Sequence, residues 1–318
     1  MVDQLAFAET CRVCGAQLNK NEFDVDGLCA DCATSAAPMA TSYVAQREVM
    51  AATPLDVPSF VETTPDPDHP RWGPLTGIGV WLVSVAAIVV IPLIAVALWL
   101  VIQSARGAPL PNFAIREEVE QWLMSPTILL VQLVSTMAAH AITLAVCWAV
   151  VTRFGSRPFW SSLGWTWGRH RIWYWVVFSA CVMLGIQILS QVLIRFLPEK
   201  ESPFDQLLKS SQQVRIAVAI LAVFTAPVVE EVVYRGVLFS SLRKWIGLVP
   251  TVVAVTVTFA GVHVFQNRGA WVSITGLAVL SLALTIVRAR TKSVLPCVFI
   301  HTLNNAFASV VILINKGS

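Results

Sequence analysis

Seven long apolar segments dominate the chain after residue 75, and they constrain its fold more than any other feature. Each approaches or exceeds the length of about 20 residues that an α-helix needs to cross a bilayer. They cover residues 76–103, 127–152, 172–197, 214–242, 249–266, 270–288 and 293–314. With 56% hydrophobic and only 13% charged residues, a chain of 318 residues is too apolar for an ordinary soluble domain. The sequence therefore predicts an all-α, polytopic transmembrane helical bundle of about seven spans.

The charged residues are distributed unevenly. Residues 1–75 hold four basic and eleven acidic side chains, whereas the rest of the chain holds 18 basic and eight acidic ones. An acidic N-terminal region argues against nucleic-acid binding, which needs a basic patch to neutralise phosphates. The basic loops all fall on one side of the predicted spans, so the positive-inside rule places that side and the N-terminus in the cytosol. These loops contain Arg153, Arg157, Arg169, Arg171, Arg243, Lys244, Arg288, Arg290 and Lys292.

Two C-x-x-C pairs stand near the N-terminus, as CRVC and CADC. Their cysteines are Cys11, Cys14, Cys29 and Cys32. The spacing matches a tetrahedral site in which four thiolates bind one zinc ion at about 2.3 Å. Two disulfides are the alternative, which a reducing compartment disfavours. We therefore expect a zinc-ribbon-like module at residues 1–35, with a structural zinc ion and a role in docking a cytosolic partner or in regulation.

A flexible linker is predicted at residues 36–72, before a transmembrane domain at 73–318. This segment is rich in Ala, Thr, Pro and acidic residues and shows no sustained periodicity. A typical stretch is TTPDPDHP. His69 lies in this stretch, and we assign it no specific role.

The fourth apolar segment contains the only acidic residues within any predicted span, Glu230 and Glu231. Ionisable groups at membrane depth are costly and are functional candidates by default. Glu231 and Arg235 are spaced i, i+4, which predicts an ion pair on one helical face. Glu230 points about 100° away, in an apolar setting that disfavours its charged form and prepares it to accept and return a proton. Pro227 is expected to interrupt the backbone hydrogen bonds just before this pair.

Two later segments repeat the i, i+4 spacing with other polar residues. Phe259 and His263 share a face in the fifth, and His301 and Asn305 share a face in the seventh. Taken singly, each histidine or asparagine is explained by hydrogen bonding between helices, and the isolated His140 is assigned a structural role or none. Hydrogen bonding between helices does not explain the combination of two carboxylates, an arginine, two histidines and an asparagine, because helix association rarely needs two adjacent acids.

These three motifs, at 230–235, 259–263 and 301–305, resemble the signature of the CPBP family. That family comprises the CAAX proteases and bacteriocin-processing enzymes and is also called the Abi family. The resemblance covers about residues 172–314 and implies an all-helical intramembrane endopeptidase that acts on a membrane-associated protein or peptide. A zinc ribbon is foreign to the pattern of the eukaryotic CAAX enzyme, which favours a bacterial inner membrane.

The resemblance also implies a role for each site residue. Glu230 would be the general base that activates water, assisted by His263. His301 and Asn305 would donate hydrogen bonds to the oxyanion of the tetrahedral intermediate.

Glu231 and Arg235 would hold the site in shape. Zinc-dependent hydrolysis by the same residues is an alternative, which we disfavour because Asn is an uncommon zinc ligand whereas it suits an oxyanion donor. A non-catalytic membrane scaffold or immunity protein is a second alternative. An ion-coupled transporter is disfavoured because no inverted repeat is visible.

Overall fold

In the computed structural model of the protein, residues 10–11, 13–16, 31–32, 66–197 and 199–314 are described. The chain divides into two compact units, Met1–Thr63 and Thr64–Ser318. Cys29 and most of the predicted linker lie outside the described residues.

Six helices of the second unit are long and apolar enough to cross a membrane. They are α1 (Pro74–Ala105), α3 (Pro126–Thr152), α5 (Ile172–Leu193), α7 (Gln212–Ile246), α9 (Trp271–Thr291) and α10 (Leu295–Ile314). Shorter helices are α2 (Arg116–Leu123), α4 (Phe159–Ser162), α6 (Pro203–Ser210) and α8 (Leu248–Val262). No β-strand occurs in the described residues, which confirms the predicted all-α transmembrane bundle.

The fifth predicted span, 249–266, differs from the other six. Its helix α8 has 15 residues, fewer than the about 20 that cross a bilayer. It begins after Gly247, whose φ of 79° favours glycine, and it ends at Val262. There the amide and side chain of Asn267 both donate to the His263 carbonyl oxygen, at 3.0 and 3.1 Å, and the chain turns. The apolar Val264 and Phe265 therefore extend the sequence pattern without extending the helix.

Helix α7 is the centre of the bundle. In the most apolar stretch of α7, 44% of the residues are buried inside the protein, against 6% in the corresponding stretch of α5. The main hydrophobic cluster combines residues of α7 with side chains from α1, α3 and α8, among them Val80, Cys147, Val151, Val255 and Phe259. Glu231 and Arg235, in the middle of α7, are therefore surrounded by protein rather than by lipid.

The backbone of α7 departs from α-helical geometry on both sides of the two glutamates. π-Helical segments occupy Leu221–Thr225 and Val232–Leu238, with a short α-helical segment, Ala226–Glu231, between them. Pro227 lies near the start of that α-helical segment, where it has no N–H to give and its ring crowds the preceding turn. The sequence analysis expected an interruption at this position. π-Segments inside α-helices are rare and frequently accompany functional sites.

Candidate active site

Glu231 and Arg235 form the predicted ion pair at the centre of the bundle. The Arg235 Nη1 atom donates to Glu231 Oε1 at 2.9 Å, and both side chains are completely buried. Helix α9 contributes to the pair, because Arg235 Nη2 donates to the carbonyl oxygen and to the hydroxyl of Ser281, at 3.0 and 2.8 Å. The guanidinium carbon also lies 4.7 Å from the centre of the Phe259 ring. These partners offset the loss of hydration that a buried charge suffers.

His301 links the two glutamates. Its Nδ1 atom lies 2.8 Å from Glu231 Oε1, and its Nε2 atom lies 3.8 Å from Glu230 Oε2. Because an ionised carboxylate only accepts hydrogen bonds, we assign the Nδ1 proton to His301 from this contact. The Nε2 atom is then the one that faces Glu230.

The two adjacent carboxylates have different surroundings. The Glu231 side chain is fully buried, and its Oε1 atom accepts from both Arg235 and His301. Its Oε2 atom is buried without a hydrogen-bond partner among the described residues. The Glu230 side chain keeps 19% of its surface exposed. Glu230 is therefore the carboxylate that water and a substrate can reach.

Asn305 lies one turn beyond His301 on α10. Its Nδ2 atom donates at 2.8 Å to the carbonyl oxygen of Ala222, in the first π-helical segment of α7. An amide NH2 group has two hydrogens, so one remains for a second acceptor. The contact with Ala222 fixes the orientation of that second hydrogen.

His263 also packs against the Phe259 ring. The centre of that ring is 5.1 Å from the His263 ring and 5.9 Å from the His301 ring. The Nδ1 atom of His263 is 3.1 Å from Gln266 Oε1. Among the described residues His263 makes no hydrogen bond to Glu230, so the structure brings His301 closer to the glutamates than His263.

His140 bonds to a neighbouring helix. Its Nδ1 atom is 2.9 Å from the hydroxyl of Thr225, which donates to the Leu221 carbonyl oxygen at 3.2 Å. His140 therefore donates to Thr225 and ties α3 to the first π-helical segment of α7. This contact agrees with the structural role that the sequence analysis gave to His140.

The N-terminal cysteines and the glutamates and histidines of the membrane helices are the two candidate metal centres, and they differ in how their donor atoms are arranged. The Sγ atoms of Cys11, Cys14 and Cys32 lie within 4.8 Å of one another, so these three residues could hold a metal ion. Among the described residues, no other group brings three such donor atoms equally close. In the membrane, only one nitrogen of His301 faces Glu230, while the Nδ1 atom of His263 is turned to Gln266. The membrane residues therefore do not form a ready set of three metal ligands.

Comparison with protein families supports the resemblance seen in the sequence. Residues 212–307 match the family model described as type II CAAX prenyl endopeptidase, Rce1-like. This match covers 96 of the 318 residues of the chain. It begins with α7 and includes all three motifs, which confirms the expected relation to the CPBP endopeptidases. Neither curated proteins nor solved structures give a match to the chain.

Some residues around the site were not singled out from the sequence. Ser281 anchors Arg235, although a serine in an apolar segment is an ordinary feature of membrane helices. Arg288 was assigned to a basic loop, and the structure places it inside α9 and completely buried. Its partner, Asp68, is 220 residues away in the chain, so no local pattern could pair the two.

Proposed function

We propose that the protein hydrolyses a peptide bond of a membrane-associated protein or peptide with a water molecule activated by Glu230. The proposal refines the peptidase character of the Rce1-like family. The observation that carries it is the contrast between the two carboxylates. Glu231 is buried and bound to Arg235 and His301, whereas Glu230 is partly exposed beside His301 Nε2.

In this reaction Glu230 removes a proton from water as the water oxygen attacks the carbonyl carbon of the scissile bond. The carbonyl oxygen becomes an oxyanion, and His301 Nε2 and the second Asn305 hydrogen donate to it. Glu230 then returns the proton to the departing amine as the carbon–nitrogen bond breaks. His301 must be an imidazolium to donate from Nε2, and the Glu231 carboxylate at Nδ1 stabilises that charge.

His263 receives a smaller role in this proposal than the sequence analysis gave it. Its Nδ1 atom lies against Gln266 and its ring makes no bond to Glu230, so the ring would have to move to assist the base. Zinc-dependent hydrolysis has less support, because the membrane donors do not converge as the three cysteines do.

Replacement of Glu230 by glutamine tests this proposal. Glutamine keeps the size of the side chain but cannot accept a proton at neutral pH. We expect kcat for a quenched peptide in lipid vesicles to fall about 10²- to 10⁴-fold, the contribution of a general base. Glu117→Gln, on the exposed surface of α2, is the matched control and should cleave at the wild-type rate. Proteolysis retained by Glu230→Gln would remove Glu230 as the base and favour a different catalytic group, whereas no cleavage even by wild type would favour the non-catalytic alternative.

We further propose that Cys11, Cys14, Cys29 and Cys32 bind a structural zinc ion and that the N-terminus is cytosolic, in a bacterial inner membrane. Arg243 and Lys292, at the ends of α7 and α9, lie 2.9 and 3.6 Å from Asp68, which precedes α1. Desolvation and repulsion from Arg71 and Arg153 lower the pKa of Arg157, in the loop after α3. The basic segments thus share one end of the bundle, which supports the orientation drawn from the positive-inside rule.

A further inference from the structure

A short segment before α1 is tied into the membrane domain by a buried arginine. We call residues 66–70 the N-terminal strap. Within it, Asp68 is only 4% exposed, and Arg288 of α9 is completely buried. Arg288 Nη1 donates to Asp68 Oδ1, and Arg288 Nη2 donates to the carbonyl oxygen of Pro67, each at 2.9 Å. One guanidinium group therefore binds one side-chain acceptor and one backbone acceptor of the strap.

The third nitrogen of Arg288 reaches the active-site helix. Its Nε atom donates at 3.0 Å to the backbone carbonyl oxygen of Arg235. Arg235 lies within the π-helical segment Val232–Leu238, where the backbone departs from the regular α-helical ladder. Arg288, which belongs to a different helix, thus fixes the backbone of α7 at a point where the helix's own hydrogen bonding is irregular.

A continuous series of contacts leads from this point to Glu230. The Arg235 side chain donates to Glu231, and Glu231 accepts from His301 at 2.8 Å. His301 Nε2 in turn faces Glu230 Oε2 at 3.8 Å. A displacement of the Arg235 backbone would move Glu231, and with it the ring that faces the proposed base.

We propose that Asp68 and Arg288 are positioning residues for the active site, because they hold the Arg235 backbone where Arg235 can orient Glu231 and His301. This inference rests on the proposed function. A buried ion pair is often no more stabilising than well-packed apolar residues, so its stability alone does not explain why charges stand here. The geometry supports a different use: the rigid, planar guanidinium group of Arg288 holds three acceptors in fixed positions, namely Asp68 Oδ1 and the carbonyl oxygens of Pro67 and Arg235.

Two substitutions test the positioning role. Asp68→Asn keeps the size of the side chain but removes the charge that pairs with Arg288, and with Arg243 and Lys292 as well. Arg288→Lys keeps the charge, but an ammonium group cannot reach Asp68, Pro67 and the Arg235 carbonyl together. In both variants we expect kcat to fall about 10- to 100-fold with KM changed less than about twofold, because the active-site geometry changes rather than substrate binding.

The chain offers a matched control for each substitution. Asp66 lies in the same strap with an exposed side chain, and the backbone N–H of Asp68 lowers its pKa, so it is also a charged acid. Arg290 follows Arg288 on α9 and is exposed. Asp66→Asn and Arg290→Lys should both retain wild-type kcat.

A spectroscopic measurement separates this proposal from the proposed function. The chain has five histidines, so [15N]histidine labelling gives few ring signals, and His301→Gln assigns that of His301. We expect the His301 ring signal to shift in folded Asp68→Asn and Arg288→Lys and to stay in place in both controls. Unchanged kcat and an unchanged His301 signal in a folded variant would overturn the positioning role. Equal cleavage by wild type and Glu230→Gln would instead overturn the proposed function, and the His301 signal would still decide the positioning role.

Discussion

Replacement of Arg235 by methionine should strongly destabilise the membrane domain. The substitution leaves the Glu231 carboxylate buried, with only His301 as a hydrogen-bond donor. Breaking a buried ion pair by removing one partner costs about 3–5 kcal/mol. At about 2–4 °C per kcal/mol for a domain of this size, the unfolding midpoint should fall by about 6–20 °C. Thermal unfolding in detergent, followed by tryptophan fluorescence, measures this change.

Two further variants make this prediction specific. The double variant Glu231→Gln/Arg235→Met removes both charges, so it should recover most of the lost stability. Arg116→Met breaks the exposed ion pair with Glu120, which contributes little to stability because water screens it, and should change the midpoint far less than Arg235→Met does. A double variant as unstable as Arg235→Met alone would refute the reasoning that the unpaired charge causes the loss.

Two predictions concern catalysis and use the same peptide assay. Asn305→Ala should lower kcat about 10²- to 10³-fold, the usual effect of removing one oxyanion donor, whereas unchanged kcat would exclude Asn305 from that role. His301→Gln should lower kcat more than His263→Gln, because only His301 lies between the two glutamates. The reverse order would show that His263 moves to Glu230 during the reaction, and would restore the assisting role that the sequence analysis gave it.

The helices and the central ion pair were predictable because their signals are local. Apolar runs of sufficient length mark membrane helices, and the i, i+4 spacing of Glu231 and Arg235 follows directly from helix geometry. The end of α8 was not predictable in this way, since Val264 and Phe265 are as apolar as the helix that precedes them.

The arrangement of the site depends on contacts between distant parts of the chain. Sequence spacing placed His301 beside Asn305 but could not show that its Nδ1 atom faces Glu231 on α7. A charged residue at the end of an apolar run usually belongs to a loop, so Arg288 was counted among the loop charges. Only the folded structure brings it to Asp68 and the Arg235 carbonyl.

The metal content of active protein tests the central claim most directly, namely that Glu230 activates water without a metal ion in the membrane site. The measurement is elemental analysis, alongside peptide cleavage, of a variant with serine at Cys11, Cys14, Cys29 and Cys32. The account predicts that this variant cleaves the peptide while holding far less than one metal ion per chain, whereas wild type holds one zinc ion. A metal ion that persists in this variant, and that disappears together with activity in Glu230→Gln/His263→Ala, would contradict the account.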